Sequence, residues 1–78
     1  MKVLLYGRLA AAIGREVEID ASAGCSVGDI RERLAIDHPA AVEALSHSRA
    51  LIGSDLVGDQ RTLAANEVAE FLPPVSGG

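Results

Sequence analysis

Aromatic side chains are nearly missing from this sequence: Tyr6 and Phe71 are the only two, and there is no tryptophan. Any core must therefore be assembled from Val, Ile, Leu and Ala, which the 49% apolar fraction supplies and which argues against disorder. Cysteine is limited to Cys25, which excludes an internal disulfide and a thiolate metal cluster. No run of about 18 apolar residues occurs, so no segment is expected to span a membrane. The Met1-Lys2 start has no signal-peptide cleavage pattern and leads straight into a Gly-Arg pair, so a cytoplasmic chain is expected. Basic clusters are missing as well. Seven Lys and Arg are scattered among eleven Asp and Glu, for a net charge of −4. Phosphate backbones call for clustered cations, so nucleic acid is not an expected partner, whereas proteins with basic docking surfaces are.

What is present is a short apolar chain. Seventy-eight residues make one domain, which buries only roughly 60–65% of its unfolded surface. Lys2 to Tyr6 is an apolar run that predicts a strand buried on both faces and ended by Gly7. Arg8 to Ile13 predicts a brief helix stopped by Gly14. Glu16 to Asp20 alternates polar and apolar, the period of a half-exposed strand with Val17 and Ile19 inward. After a loop from Ala21 to Cys25, Ser26 and Asp29 have the spacing of a capping box. Val27, Ile30 and Leu34 then fall on one helical face, with Asp29, Arg31, Glu32 and Arg33 on the rest. Pro39 ends that helix near Asp37-His38 and suits the first turn of a shorter one through Leu45.

Further strands are expected at Arg49 to Ile52 and at Leu56-Val57, with a turn at Gly58-Asp59. Leu63 reads as a plug in the core, and Asn66 as a tight-turn residue that tolerates the left-handed conformation. Glu67 to Leu72 is the last strand. One phase buries Val68, Glu70 and Leu72, the other Ala69 and Phe71; the second avoids an unpaired buried carboxylate and is expected unless a bulge intervenes. Pro73-Pro74 ends pairing. Strand, strand, helix, then two or three short strands predict an α+β domain: one mixed sheet with one main helix packed across it.

Conventional catalytic candidates are poor. Cys25 precedes the main helix and His38 follows it, three turns apart at about 1.5 Å per residue, too far for a nucleophile and its base. His38 and His47 read as surface residues and Cys25 as a small, partly buried space-filler. Without a metal cluster, phosphate-binding glycine loop or carboxylate pair, the chain is expected to have no catalytic site of its own and no stably bound cofactor. The remaining feature is the end: Phe71-Leu72-Pro73-Pro74-Val75-Ser76-Gly77-Gly78. Pro-Pro favours an extended chain, and small residues ending in two glycines can thread a cleft too narrow for a β-carbon.

That tail, with the strand order, resembles the MoaD family, the small subunits of molybdopterin synthase, within the MoaD/ThiS ubiquitin-like group. The likeness runs along the whole chain, and Pro-Pro-Val-Ser-Gly-Gly is its most specific part. The sequence departs from the family at Gly53-Ser54-Asp55, where an Asn-Gly-like turn is common, at Ala65-Asn66-Glu67, and at Glu70 in a usually apolar strand. The resemblance implies a β-grasp domain over residues 1–78 whose residues 73–78 form an extended tail. It implies that an ATP-using, adenylating activating enzyme (MoeB-like) acts on the Gly78 carboxylate. A sulfur donor then converts it to a thiocarboxylate, and the charged tail enters the large subunit of molybdopterin synthase (MoaE-like) to give its sulfur to a pterin precursor. Gly78 would carry the chemistry, and Gly77, Ser76 and Val75 would thread the cleft. Leu72, Pro73, Pro74 and Phe71 are the candidate partner-binding residues, Leu72 as an apolar anchor and Phe71 drawn towards the core by alternation; Glu67 and Glu70 are candidate acidic contacts. Two small and two large subunits would associate. A thiamin-pathway sulfur carrier, a ubiquitin-like protein modifier and a non-catalytic β-grasp interaction module are the alternatives.

Overall fold

The structure, a computed structural model, describes residues 1–19 and 24–74. The elements run β1 (Lys2–Leu5), α1 (Arg8–Ile13), β2 (Glu16–Glu18), α2 (Val27–Asp37), a 3-10 turn (Pro39–Ala41) leading into α3 (Val42–Ser46), β3 (Arg49–Ile52), β4 (Asp55–Val57) and β5 (Ala69–Leu72). One five-stranded sheet has the order β2-β1-β5-β3-β4. β1 and β5 pair in parallel, and every other neighbouring pair is antiparallel. A mixed sheet of this order folded around a helix is the ubiquitin-like β-grasp.

Alternation decides which side chains are buried. Val3 and Leu5 of β1, Ala69 and Phe71 of β5, and Ala50 and Ile52 of β3 form one face and are buried with Val27, Ile30 and Leu34 of α2. The phase expected for the last strand therefore holds, although it starts at Ala69 and not at Glu67. No bulge is needed: Glu70 stands in register with Leu4 on one side and Leu51 on the other. The expectation that β1 is buried on both faces is corrected. Leu4 is half-buried, Lys2 exposed, and Tyr6 lies beyond the strand and is exposed, because helices cover only one side of the sheet.

The main helix begins as its capping box dictates. Ser26 Oγ accepts from the Asp29 N–H at 3.1 Å, and Asp29 Oδ2 accepts from the Ser26 N–H at 3.0 Å. The next two N–H groups, of Val27 and Gly28, donate to the carbonyls of Arg61 and Asp59 at 2.8 and 2.9 Å, so a distant loop satisfies donors that a helix start leaves unpaired. Leu63 is buried as expected, and its N–H donates to the Cys25 carbonyl at 2.9 Å. Between β3 and β4, Gly53 (φ 58°) and Ser54 (φ 78°) both take positive φ, the signature of a two-residue type I′ hairpin turn. Asn66 does lie in a turn, closed by Glu67 N–H to Ala64 carbonyl at 3.0 Å. It is not left-handed, however: Ser54 is the only non-glycine residue with positive φ among the described residues.

Candidate functional site

The candidate site is the end of β5, where the sheet releases the chain into its last residues. Phe71 is fully buried, and its carbonyl accepts from the Tyr6 N–H at 3.2 Å, prolonging the β1–β5 ladder by one bond. The Arg31 guanidinium lies 5.2 Å from the centroid of its ring. Phe71 therefore holds the strand from inside the core and presents no surface to a partner, which corrects the expectation that it is a partner-binding residue. Leu72 is half-buried on the open face, in register with the exposed Arg49. Pro73 is half-buried and Pro74 exposed.

Pro73 is seated on Gly7. A β-carbon on Gly7 would lie 2.8 Å from Pro73 Cγ, and Gly7 has φ +60°, so both space and backbone demand glycine. The sequence shows Gly7 only as the end of a strand; the signal that it supports the tail is tertiary. Val75, Ser76, Gly77 and Gly78, the threading residues and the reactive end, lie outside the described residues. Covalent geometry alone limits four residues to a span of about 14 Å.

Two surfaces flank this exit. The open face of the sheet carries a cross-strand row of Glu16, Leu4, Glu70, Leu51 and Leu56, of which Leu56 is 63% exposed. Tyr6, 41% exposed, donates its hydroxyl to Glu70 Oε1 at 2.6 Å. That bond, with partial desolvation and the carboxylate's charge, raises the tyrosine pKa above its usual value. On the other side, α1, the 3-10 turn and α3 border a groove of about 880 Å³ that ends at Pro73 and Pro74. Its lining is dominated by Ala11, Ala12, Ala40 and Ala44, with Arg8, Glu43 and His47 as its polar residues. The alanine runs at 10–12 and 40–41 are its signal in the sequence.

The acidic residues considered as partner contacts are engaged within the chain. Glu67 receives both Arg61 terminal nitrogens at 2.9 Å and the Ala64 N–H at 2.9 Å; the Arg61 bonds foremost, then the Ala64 bond, hold its pKa down to about 2. Glu70 is the acceptor for Tyr6. Cys25 is half-buried with its thiol 3.8 Å from Met1 Sδ. His38 caps the far end of α2, whose 11 residues measure about 16 Å, and His47 is exposed beside the groove.

A sequence model of the ThiS family matches residues 3–78. No curated protein matches. Among solved structures, SAMP1 from Haloferax volcanii is 28% identical, with a TM-score of 0.80 over 99% of this chain and 97% of that one. A putative molybdopterin converting factor, subunit 1, from Pyrococcus furiosus is 23% identical, with a TM-score of 0.81 over 95% of both chains. The complex of subunits 1 and 2 of molybdopterin-converting factor from Helicobacter pylori 26695 gives 22% identity and a TM-score of 0.70 over 99% of this chain and 96% of that one. These last two likenesses are of fold. With the family match running from β1 through the final glycine and the same β-grasp in every structure named, the chain belongs to the ThiS family of ubiquitin-like sulfur carriers and modifiers.

Proposed function

We propose that the chain is a sulfur carrier for molybdopterin synthesis, with the Gly78 carboxylate as its working group. One observation carries the reading: the family match extends through Gly77-Gly78, past the last described residue, so the likeness includes the part that would react. A carboxylate is a poor acyl donor because oxide would have to leave. Attack of its oxygen on the α-phosphorus of ATP, with loss of pyrophosphate, gives an acyl adenylate. A donor sulfur at the oxidation level of sulfide then attacks the carbonyl carbon and AMP departs, leaving a thiocarboxylate. The activating enzyme and the sulfur donor supply the catalytic groups. This chain supplies the acyl carbon and a surface that positions it.

The Pro73-Pro74-Val75-Ser76-Gly77-Gly78 tail favours the molybdopterin pathway over the thiamin one. The Helicobacter neighbour is a complex of subunit 1 with subunit 2, which supports a large subunit as the acceptor of the tail. Leu72, Leu56 and Leu51 on the open face would dock beside the cleft. The second reading, a protein modifier, is favoured by the likeness to SAMP1; there the same activated carboxyl forms an amide with a lysine.

The test is intact mass after incubation with ATP, a MoeB-like activating enzyme and a sulfur donor. Exchange of one oxygen for sulfur, mapped to Gly78, is expected, followed by conversion of the pterin precursor when the large subunit is added. No exchange with an active, matched enzyme would leave a binding module as the better reading. Conversion of lysines on other proteins, without pterin conversion, would leave the modifier.

A further inference from the structure

The open face of the sheet is apolar at its centre and is interrupted there by one carboxylate. Glu70 is half-buried on β5, in register with Leu4 on one side and Leu51 on the other, and Leu56 extends the row. Two residues on along β5, Leu72 stands opposite Arg49. Pairing of Leu5 with Phe71 brings Tyr6 level with Leu72 on its other side. Leu4, Leu51 and Leu72 thus border Glu70 on a face that no helix covers.

The acids of β2 on this face have cations. Glu16 Oε1 lies 3.6 Å from Lys2 Nζ, and Glu18 Oε2 lies 3.2 Å from the N-terminal ammonium. Glu70 has a neutral partner instead: its Oε1 accepts from the Tyr6 hydroxyl at 2.6 Å. Among the described residues no cation forms an ion pair with it, Arg49 included. The tyrosine bond therefore holds the carboxylate in place without balancing its charge, and it engages one oxygen of the two. Tyr6 is itself 41% exposed. An apolar partner laid on these leucines would strip water from Glu70 and leave its charge uncompensated, which is costly. Nor does Glu70 fall at a wet rim, because leucines lie on both sides of it. The face therefore calls for a partner with a cation at one place. A guanidinium suits that place: it pairs with carboxylate oxygens through directed N–H groups, stacks on aromatic rings and is more weakly hydrated than an ammonium.

We propose that Tyr6 and Glu70 form a receptor for one arginine side chain of the protein that covers the open face. This charged contact, and not leucine burial alone, selects the partner. Which protein that is rests on the carrier reading above, in which the large synthase subunit meets the end of β5 where the chain leaves at Pro73. The Tyr6 hydroxyl holds one carboxylate oxygen, and the incoming guanidinium takes the other with its plane against the ring. A surface that offers only apolar side chains is rejected, since it would bury Glu70 unpaired.

The experiment titrates the full chain into the isolated large synthase subunit of the same organism by calorimetry, with circular dichroism confirming the fold of each variant. Glu70→Gln keeps an acceptor for Tyr6 and removes the charge; it is expected to bind roughly tenfold more weakly or worse. Glu70→Leu adds apolar area to the face, yet it too is expected to weaken binding. Tyr6→Phe keeps the ring and releases the carboxylate, and is expected to lose less than Glu70→Gln. When the partner's surface arginines are replaced by alanine one at a time, one of them should cancel the Glu70→Gln effect in a double-mutant cycle. Tighter binding by Glu70→Leu, or unchanged binding by Glu70→Gln, would overturn the proposal. So would a Glu70→Gln effect that survives the loss of every such arginine. If wild type does not bind the large subunit at all, the carrier reading fails and the proposal falls with it; binding that is indifferent to Glu70 removes the proposal alone.

Discussion

Arg31 and Phe71 meet under the sheet, the guanidinium 5.2 Å from the ring centroid. The same arginine donates to the carbonyls of Leu45 and Ser48 and to Ser48 Oγ, and forms an ion pair with Asp59 at 3.1 Å. One side chain of α2 thus joins the end of α3, the start of β3, the 58–61 turn and the strand that carries the tail. Its side chain is only 16% exposed, so removal leaves acceptors without partners. Arg31→Ala is expected to lower unfolding free energy by about 2–4 kcal/mol in urea titration. Arg31→Lys is expected to recover less than half of that, since an ammonium cannot fork between these acceptors.

Gly7→Ala tests the seat of the tail. Positive φ and the 2.8 Å approach to Pro73 Cγ together predict a loss of about 1–3 kcal/mol. If Pro73 shifts to make room, the amide resonances of Leu72 and Tyr6 should move more than those of α2, and the apparent KM for any activating enzyme should rise. A variant with unchanged stability and spectra would show that Pro73 is not held there.

Ser54 pays for the type I′ turn without glycine's freedom. Ser54→Gly is expected to stabilise by roughly 0.5–1 kcal/mol, and Gly53→Ala to destabilise by more than that. Thermal unfolding of the two variants checks both signs.

Glu67 predicts an acid limb of stability. Its folded pKa of about 2 lies below the usual 4.5. The folded chain thus binds this proton more weakly than the unfolded chain, and stability falls as pH falls. The contribution is complete above pH 4.5 and is lost progressively down to about pH 2. Melting temperatures measured across that window should drop less steeply in Glu67→Gln than in wild type.

Much of the fold was legible because its signals are local. The Ser26-Asp29 box, the Val27-Ile30-Leu34 stripe and Pro39 each act within a turn or two of helix, and the structure has all three. The phase of β5 followed from the cost of burying Glu70. What escaped was set by residues far apart in sequence. Arg31 reads as one of several charges on a helix surface until Leu45, Ser48 and Phe71 are brought around it. Gly7 reads as a strand end until Pro73 packs on it. β1 read as doubly buried because five apolar-leaning residues do not reveal that only one face has a helical layer. At the site, the last residues stood out in the sequence by their resemblance alone, and the structure describes the stretch they leave from, the Phe71 anchor and the Pro73 seat.

The central placement of β5, paired in parallel with β1 and antiparallel with β3, has a mechanical consequence. A partner drawing on the tail pulls along the axis of a strand bonded on both sides. The load then falls on two ladders in shear, with their hydrogen bonds sharing it, whereas an edge strand pulled across its axis would peel one bond at a time. A tail launched from the middle of the sheet can be gripped and tugged hard before the domain gives way.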